Sequence, residues 1–445
     1  MSKELTTKDL NRVLGKKELL SAAIGQVVGA GIFSLMPQAI GLTGRSVSLA
    51  FLVAAILTIF TVVPRCFVSG TIRMRGGNYT YVSLFGGNKF GGAFIIIHIL
   101  MNISVCMYAI SAAEYLCASI QGLNIRLIAF IIFTAVVVIN IVGVKSMARM
   151  QAVLVVCLLA ATIIFSAFGI VKVDFNAYVQ PEGFFSNGIM GFMSAAALLT
   201  WATSGAQTII NFSAEAKDPT RDMPPVIIGT TIGIAVLYSI MSIVASGILP
   251  VEMVAGQPLS LVAAEILPQP LYIFFIVGGA LFAILTTLNS QVGWITKPLL
   301  QGCADGWLPS WLGKINDKFR TPHVMLIVLY LIGLIPIVSG FDMDTIAGTS
   351  VFASSIVDLM LAACLIRLPK VVPEEWAKSR WHIGHTPLVL WTIVSVAAAV
   401  FTAYMSLNSL KPIEMAVNVG IVAIALIFGM LREKHAHIEV SYEAE

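Results

Sequence analysis

Polar and charged positions come in short bursts along the chain, separated by apolar stretches of roughly 17 to 25 residues, the length a helix needs to cross a ~30 Å hydrocarbon core. Twelve such stretches are legible, near 18–43, 48–71, 90–117, 125–143, 150–171, 188–214, 224–248, 271–299, 323–340, 345–366, 387–407 and 413–431. Within each the apolar residues are continuous rather than alternating. That pattern predicts helices and argues against an outer-membrane barrel, whose strands alternate lipid-facing and lumen-facing residues. The expected fold class is an all-α membrane protein of twelve spans, a single transmembrane domain over residues 1–445.

Composition agrees with this reading. Charged residues make up 11% of the 445 and hydrophobic ones 58%, with a mean hydropathy of +0.91, so there is more apolar surface than one aqueous core could hide. The net charge of +4 raises the question of nucleic acid, but the basic residues form no stripe and no such partner is expected. Their placement sets topology instead. With the N-terminus inside, the outer side holds only Arg45, Arg126, Lys172 and Lys411, and Arg65 lies within span 2. Both termini are therefore expected in the cytoplasm, which requires an even number of spans. The basic residues of 1–17 could open a signal peptide, but the apolar run that follows is too long and is read as the first span. Six scattered cysteines without CxxC spacing imply neither a disulfide framework nor a metal cluster. Without a GxxxxGK[ST] loop, an HExxH motif or a sizeable soluble domain, neither an ATP-driven pump nor an enzyme is expected.

Two spans are interrupted. Span 1 contains Ile24-Gly25-Gln26-Val27-Val28-Gly29-Ala30-Gly31-Ile32-Phe33, and span 6 contains Thr200-Trp201-Ala202-Thr203-Ser204-Gly205-Ala206-Gln207. Small residues four apart, such as Gly25 and Gly29, suit close helix packing. The other reading is unwound backbone lining a cavity. Each interrupted span opens a block of five, so spans 1–5 (18–171) and 6–10 (188–366) are expected as inverted repeats. Spans 11 and 12 (387–431) would be peripheral, and 1–17 and 432–445 cytoplasmic tails. Amides opening a half-helix attract a carboxylate and carbonyls closing one attract an ammonium, so facing breaks suit a zwitterion.

These strings resemble the amino acid–polyamine–organocation transporter family. The likeness runs through spans 1–10 and is carried by Gly29-Ala30-Gly31-Ile32-Phe33, by Gly76-Gly77-Asn78-Tyr79-Thr80-Tyr81 before span 3, by Lys217-Asp218-Pro219-Thr220-Arg221-Asp222-Met223-Pro224 after span 6, and by Ala304-Asp305-Gly306-Trp307-Leu308-Pro309 after span 8. Membership implies the leucine-transporter type of fold and alternating access around a midplane site. The substrate carboxylate would meet the amides of Ala30 and Gly31. Its ammonium would meet the carbonyls of Val27, Trp201 and Ser204, with Thr203 alongside and Gln291 contributing from span 8. Trp201 matches the family's outer closing aromatic, while Tyr79 and Tyr81 match aromatics near the inner gate. Gln207 stands at a gating position where many relatives carry an acid, and Leu158 where some proton-coupled relatives carry a lysine. An uncharged pocket favours a neutral amino acid, because a second buried charge would go unpaired.

Ionisable groups within the spans are costly unless paired or functional. His98, Asn102 and Cys106 recur every four residues and form one polar stripe on span 3. His98 is read either as a hydrogen-bonded structural residue or as a proton-coupling site. Glu114, near the outer end of span 3, reads as a solvated rim carboxylate. Asp358 is a candidate for proton exchange or for pairing with Arg65. Thr286 and Thr287 resemble a sodium site by family likeness; bonding back to their own helix is the other reading.

The expected function is secondary active transport or exchange of a neutral, zwitterionic amino acid. A cationic amino acid or polyamine antiporter, with Glu114 or Asp358 supplying the charge, is the alternative, and a channel a third. No cofactor or resident metal is expected beyond a coupling H+ or Na+. The expected partners are the substrate and the lipid bilayer, the chain acting as a monomer or homodimer in a bacterial inner membrane.

Overall fold

The computed structural model describes residues 10–119, 122–339, 343–408, 412–436 and 442–443. They are almost wholly helical. Among the described residues, ten helical segments are long and apolar enough to cross a bilayer, where the sequence reading has twelve. Two local features account for the difference. Span 1 is split into helix α1 (Lys16–Val27) and helix α2 (Ala30–Thr43), each too short alone, and the second half runs on towards helix α3 (Val47–Ser69) as one apolar segment, Leu35–Ser69. The equally apolar helix His323–Ser339 has 17 residues and falls just short.

The remaining boundaries follow local chemistry. Asn124 caps the Ile125–Val142 helix by accepting from the Leu127 amide at 3.2 Å. Pro219 begins the Pro219–Gly247 helix at a position where its missing N–H costs nothing. Lipid provides no hydrophobic drive between helices, so their contacts rest on close packing. Val27, Val28, Ile32 and Phe33 of span 1 share one buried cluster with Leu199, Ala202, Ala206 and Ile209 of span 6. Phe275 stacks at 4.7 Å on Phe165 and lies 5.8 Å from Phe33. A second cluster holds Tyr79, Tyr81, Phe94, Trp307 and Trp376.

The helices His385–Asn408 and Pro412–Arg432 stand at the periphery, with exposed apolar side chains such as Leu390, Ile393, Ile413 and Leu431. Such a surface suits contact with lipid.

The only β-ladder among the described residues is a detail that periodicity could not supply. Arg73–Met74 pairs antiparallel with Tyr442–Glu443, and Leu14 makes an isolated bridge to Ala216. Segments preceding span 1, preceding span 3, following span 6 and near the C-terminus thus meet at one end of the molecule.

Candidate functional site

Both interruptions are real breaks in helix, and they face each other. In span 1, Val28 and Gly29 leave the helical conformation between α1 and α2. The Val28 amide donates to Ile24 O at 2.7 Å and the Gly29 amide to Val27 O at 2.9 Å. Gly29 has no side chain with which to cap α2, so the first-turn amides, including those of Ala30 and Gly31, have neither an intrahelical partner nor an N-cap side chain. They lie at the positive end of the α2 dipole.

In span 6 the Gly188–Thr203 helix stops at Ser204, which is extended, and a 3-10 segment resumes at Ala206–Phe212. Gly205 between them has φ +128°, a conformation that disfavours any residue with a β-carbon. Its amide donates to Gln207 Oε1 at 2.9 Å, and its carbonyl accepts from Thr208 Oγ1 at 2.7 Å. Gln207, expected as a gating residue, is therefore engaged in fixing the break itself.

Glycine brings the two gaps together. A β-carbon on Gly31 would sit 2.9 Å from Trp201 Cζ3, and one on Gly205 would sit 2.8 Å from Gln26 O. The Trp201 indole thus lies across the start of α2 while remaining 45% exposed. It lies two residues before the end of the Gly188–Thr203 helix, beside the break. Thr203, fully buried, meets Thr58 of α3 through a 2.7 Å hydroxyl contact.

Span 8 closes the far side of the break. Thr287 Oγ1 donates to Gly25 O at 3.0 Å, Ser290 Oγ to Ala22 O at 3.4 Å, and Trp294 Nε1 to Gln26 Oε1 at 3.2 Å. Of the two threonines, Thr287 reaches α1 whereas Thr286 bonds back to Ala283 O at 2.7 Å on its own helix. Gln291 Nε2 donates to Asn102 Oδ1 at 2.9 Å, so the stripe on span 3 is tied to span 8. His98 belongs to the same tie: its Nε2 lies 3.0 Å from Ile295 O and its ring stacks on Phe94. A helix's rotation, invisible in a string of letters, decides these pairings.

Asp358 meets Arg65, one of the two outcomes expected of it. Nη2 lies 2.5 Å from Oδ1, and Arg65 also reaches Asn78 Oδ1 at 3.3 Å. Tyr79 and Tyr81 are completely buried, a few residues beyond the Arg73–Met74 strand. Tyr79 donates to Asp305 Oδ2 at 2.6 Å, and Gln301 Nε2 donates to Asp305 Oδ1 at 2.9 Å. Sequence reasoning missed a second buried pair, Lys297 Nζ to Glu215 Oε1 at 2.9 Å. Burial pushes the Glu215 carboxyl above its ordinary range and Lys297 pulls it back. Neither residue stands out in the sequence pattern except in one respect: Lys297 lies inside the apolar run 271–299.

An apolar helical bundle with two spans broken face to face defines the class: a multi-pass membrane protein whose exposed backbone is gathered at one internal point. Comparison with protein families carries this further, since the amino acid permease model matches residues 14–431, and the chain belongs to that family. The expected resemblance to amino acid transporters is thereby borne out. Among similar proteins are the branched-chain amino acid permease BcaP of Bacillus subtilis, 26% identical over 71% of this chain and 72% of that protein, and the methylthioribose transporter of the same organism, 25% identical over 91% and 93%. Cationic amino acid transporter 7 of Arabidopsis thaliana, described as chloroplastic, is 24% identical over 71% of this chain and 58% of its own length.

Proposed function

We propose that this protein is a secondary active transporter or exchanger for a neutral, zwitterionic amino acid, working by alternating access. The substrate's carboxylate lies on the amides of Ala30 and Gly31, and its ammonium on the carbonyls of Val27, Trp201 and Ser204. Trp201 closes over it. The observation that carries this reading is the contact between the two broken helices, Trp201 on Gly31 and Gly205 on Gln26 O, which brings the half-helix ends to one place. Twelve spans in two inverted repeats, with both termini in the cytoplasm of a bacterial cell, complete the proposal. Its support is the meeting of Arg12, Leu14 and Glu443 at one end of the molecule and the bias in basic residues.

A neutral substrate is favoured because the acids suited to hold an extra cation are engaged or peripheral. Asp358 is paired with Arg65, and Glu114 is exposed on the Val105–Ser119 helix. The named relatives span branched-chain amino acids, cationic amino acids and methylthioribose, so a competition panel is the decisive test. Uptake into proteoliposomes is measured with each of the twenty amino acids, common amines and methylthioribose as competitors. Neutral amino acids should compete best; an amine or the thioribose winning would overturn the assignment.

A further inference from the structure

Glu443 is the hub at which Arg12, Arg73 and Arg75 meet. Its carboxylate accepts from Arg12 Nη2 at 2.7 and 2.9 Å, lies 3.3 Å from Arg75 Nη2, and lies 3.8 Å from Arg73 Nε. The backbone of Tyr442–Glu443 adds the ladder to Arg73–Met74. Arg73 in turn donates to the carbonyls of Ser213, Ala216 and Lys217 just after the broken span 6. Arg12 lies a few residues before α1, and between them Val13 and Leu14 donate their amides to Glu215 O at 3.0 Å. Residues 442–443 therefore fasten the approach to α1 to the turn before span 3, and Arg73 and Leu14 join these to the exit from span 6.

Under the alternating-access reading, opening this end of the molecule by parting α1 from the segment after Gly205 would break the Leu14–Ala216 bridge and carry Arg12 away from Glu443. Resting on the alternating-access reading above, we infer that residues 442–443 form an autoinhibitory latch, in which the Glu443 carboxylate on Arg12, Arg73 and Arg75 holds this end shut. The latch is electrostatic and half-exposed, with 45% of the Arg12 side chain and 26% of the Glu443 side chain accessible. It is weak enough to be released within a transport cycle and sensitive to salt.

The test uses the full chain with its six native cysteines replaced and one cysteine placed at Ala214, which is buried at this end against Leu10, Leu300 and Ile315. A maleimide reports opening in detergent without needing a substrate. E443Q should speed labelling of A214C by about fivefold, the effect of losing a partly exposed charge network. R12Q should do the same, and the double variant should add little beyond either single one, because the two share a contact. Raising salt to about 0.5 M should speed labelling of the parent and leave E443Q unmoved. A cysteine at Ser46, buried elsewhere in the molecule, guards against general loosening and should label at one rate throughout. Unchanged A214C labelling in E443Q, additive effects in the double variant, or a parallel rise at S46C would each overturn the latch. Uptake of the twenty radiolabelled amino acids separates the two layers: no uptake of any by the parent, with the labelling changes intact, would count against the transport reading while the Glu443 contact still holds this end shut.

Discussion

Replacing Gly205 by alanine asks whether the break in span 6 is required. At φ +128° a residue with a β-carbon is strained by about 1–3 kcal/mol. The new carbon would also sit 2.8 Å from Gln26 O and 3.0 Å from its carbonyl carbon, which are backbone atoms that a rotamer change cannot move. Relief requires α1 to shift or the Gly205 peptide to turn. Turning it gives up the hydrogen bond from the Gly205 amide to Gln207, worth about 1 kcal/mol. Together these come to about 2–4 kcal/mol, or roughly 30- to 1,000-fold in the population of the native arrangement. Counterflow into proteoliposomes of the amino acid that competes best in the uptake panel, normalised to the folded fraction on a sizing column, reads this directly. Gly229→Ala is the control, since nothing lies within 4 Å of an added β-carbon there, and it should stay within about twofold of the parent. If Gly205→Ala transports as fast as Gly229→Ala, the break does not need this backbone conformation, and the site built on it falls.

Trp201→Ala should fold normally, because the indole is 45% exposed, yet lower uptake by about tenfold or more through loss of closure over the site; unaltered uptake would remove Trp201 from the gate. Asp358→Asn leaves Arg65 buried with its charge uncompensated and should cost about 3–5 kcal/mol of stability, read as a lower thermal midpoint in detergent. A retained midpoint with altered pH dependence of uptake would instead mark Asp358 as a proton carrier. Lys297→Met should likewise destabilise by about 3–5 kcal/mol, and adding Glu215→Gln should recover most of it, because both buried charges are then gone; a double variant worse than the single would show that the pair does more than neutralise itself. Choline in place of sodium should leave uptake unchanged, since Thr286 is turned to its own helix; strict sodium dependence would restore the threonine pair as an ion site.

The positions of the breaks were legible because glycine and polar residues inside an apolar run conflict with a lipid-spanning helix, and Gly29 and Gly205 resolve that conflict by leaving the helix. The partnership of Arg65 with Asp358 was open to anticipation for a related reason: a charge mid-span needs its opposite. What could not be read was direction. Gln291 meets Asn102 and Thr287 meets Gly25 O because of how span 8 is turned about its axis, and neighbouring letters do not encode that angle. The pair Glu215–Lys297 was hard to read because Glu215 follows span 6 and Lys297 comes near the close of the run 271–299, where a charge ordinarily needs no explanation. The tie between Arg12 and Glu443 joins residues too far apart for any local pattern to reveal.

The separation of Glu215 and Lys297 along the chain, 82 positions, has a consequence for biosynthesis. The carboxylate emerges from the ribosome well before its counter-ion, so span 6 enters the membrane with an acid at its end that no ammonium yet answers. Arrival of the Phe282–Ala304 helix supplies it. A chain cut between these two points would carry Glu215 without its counter-ion.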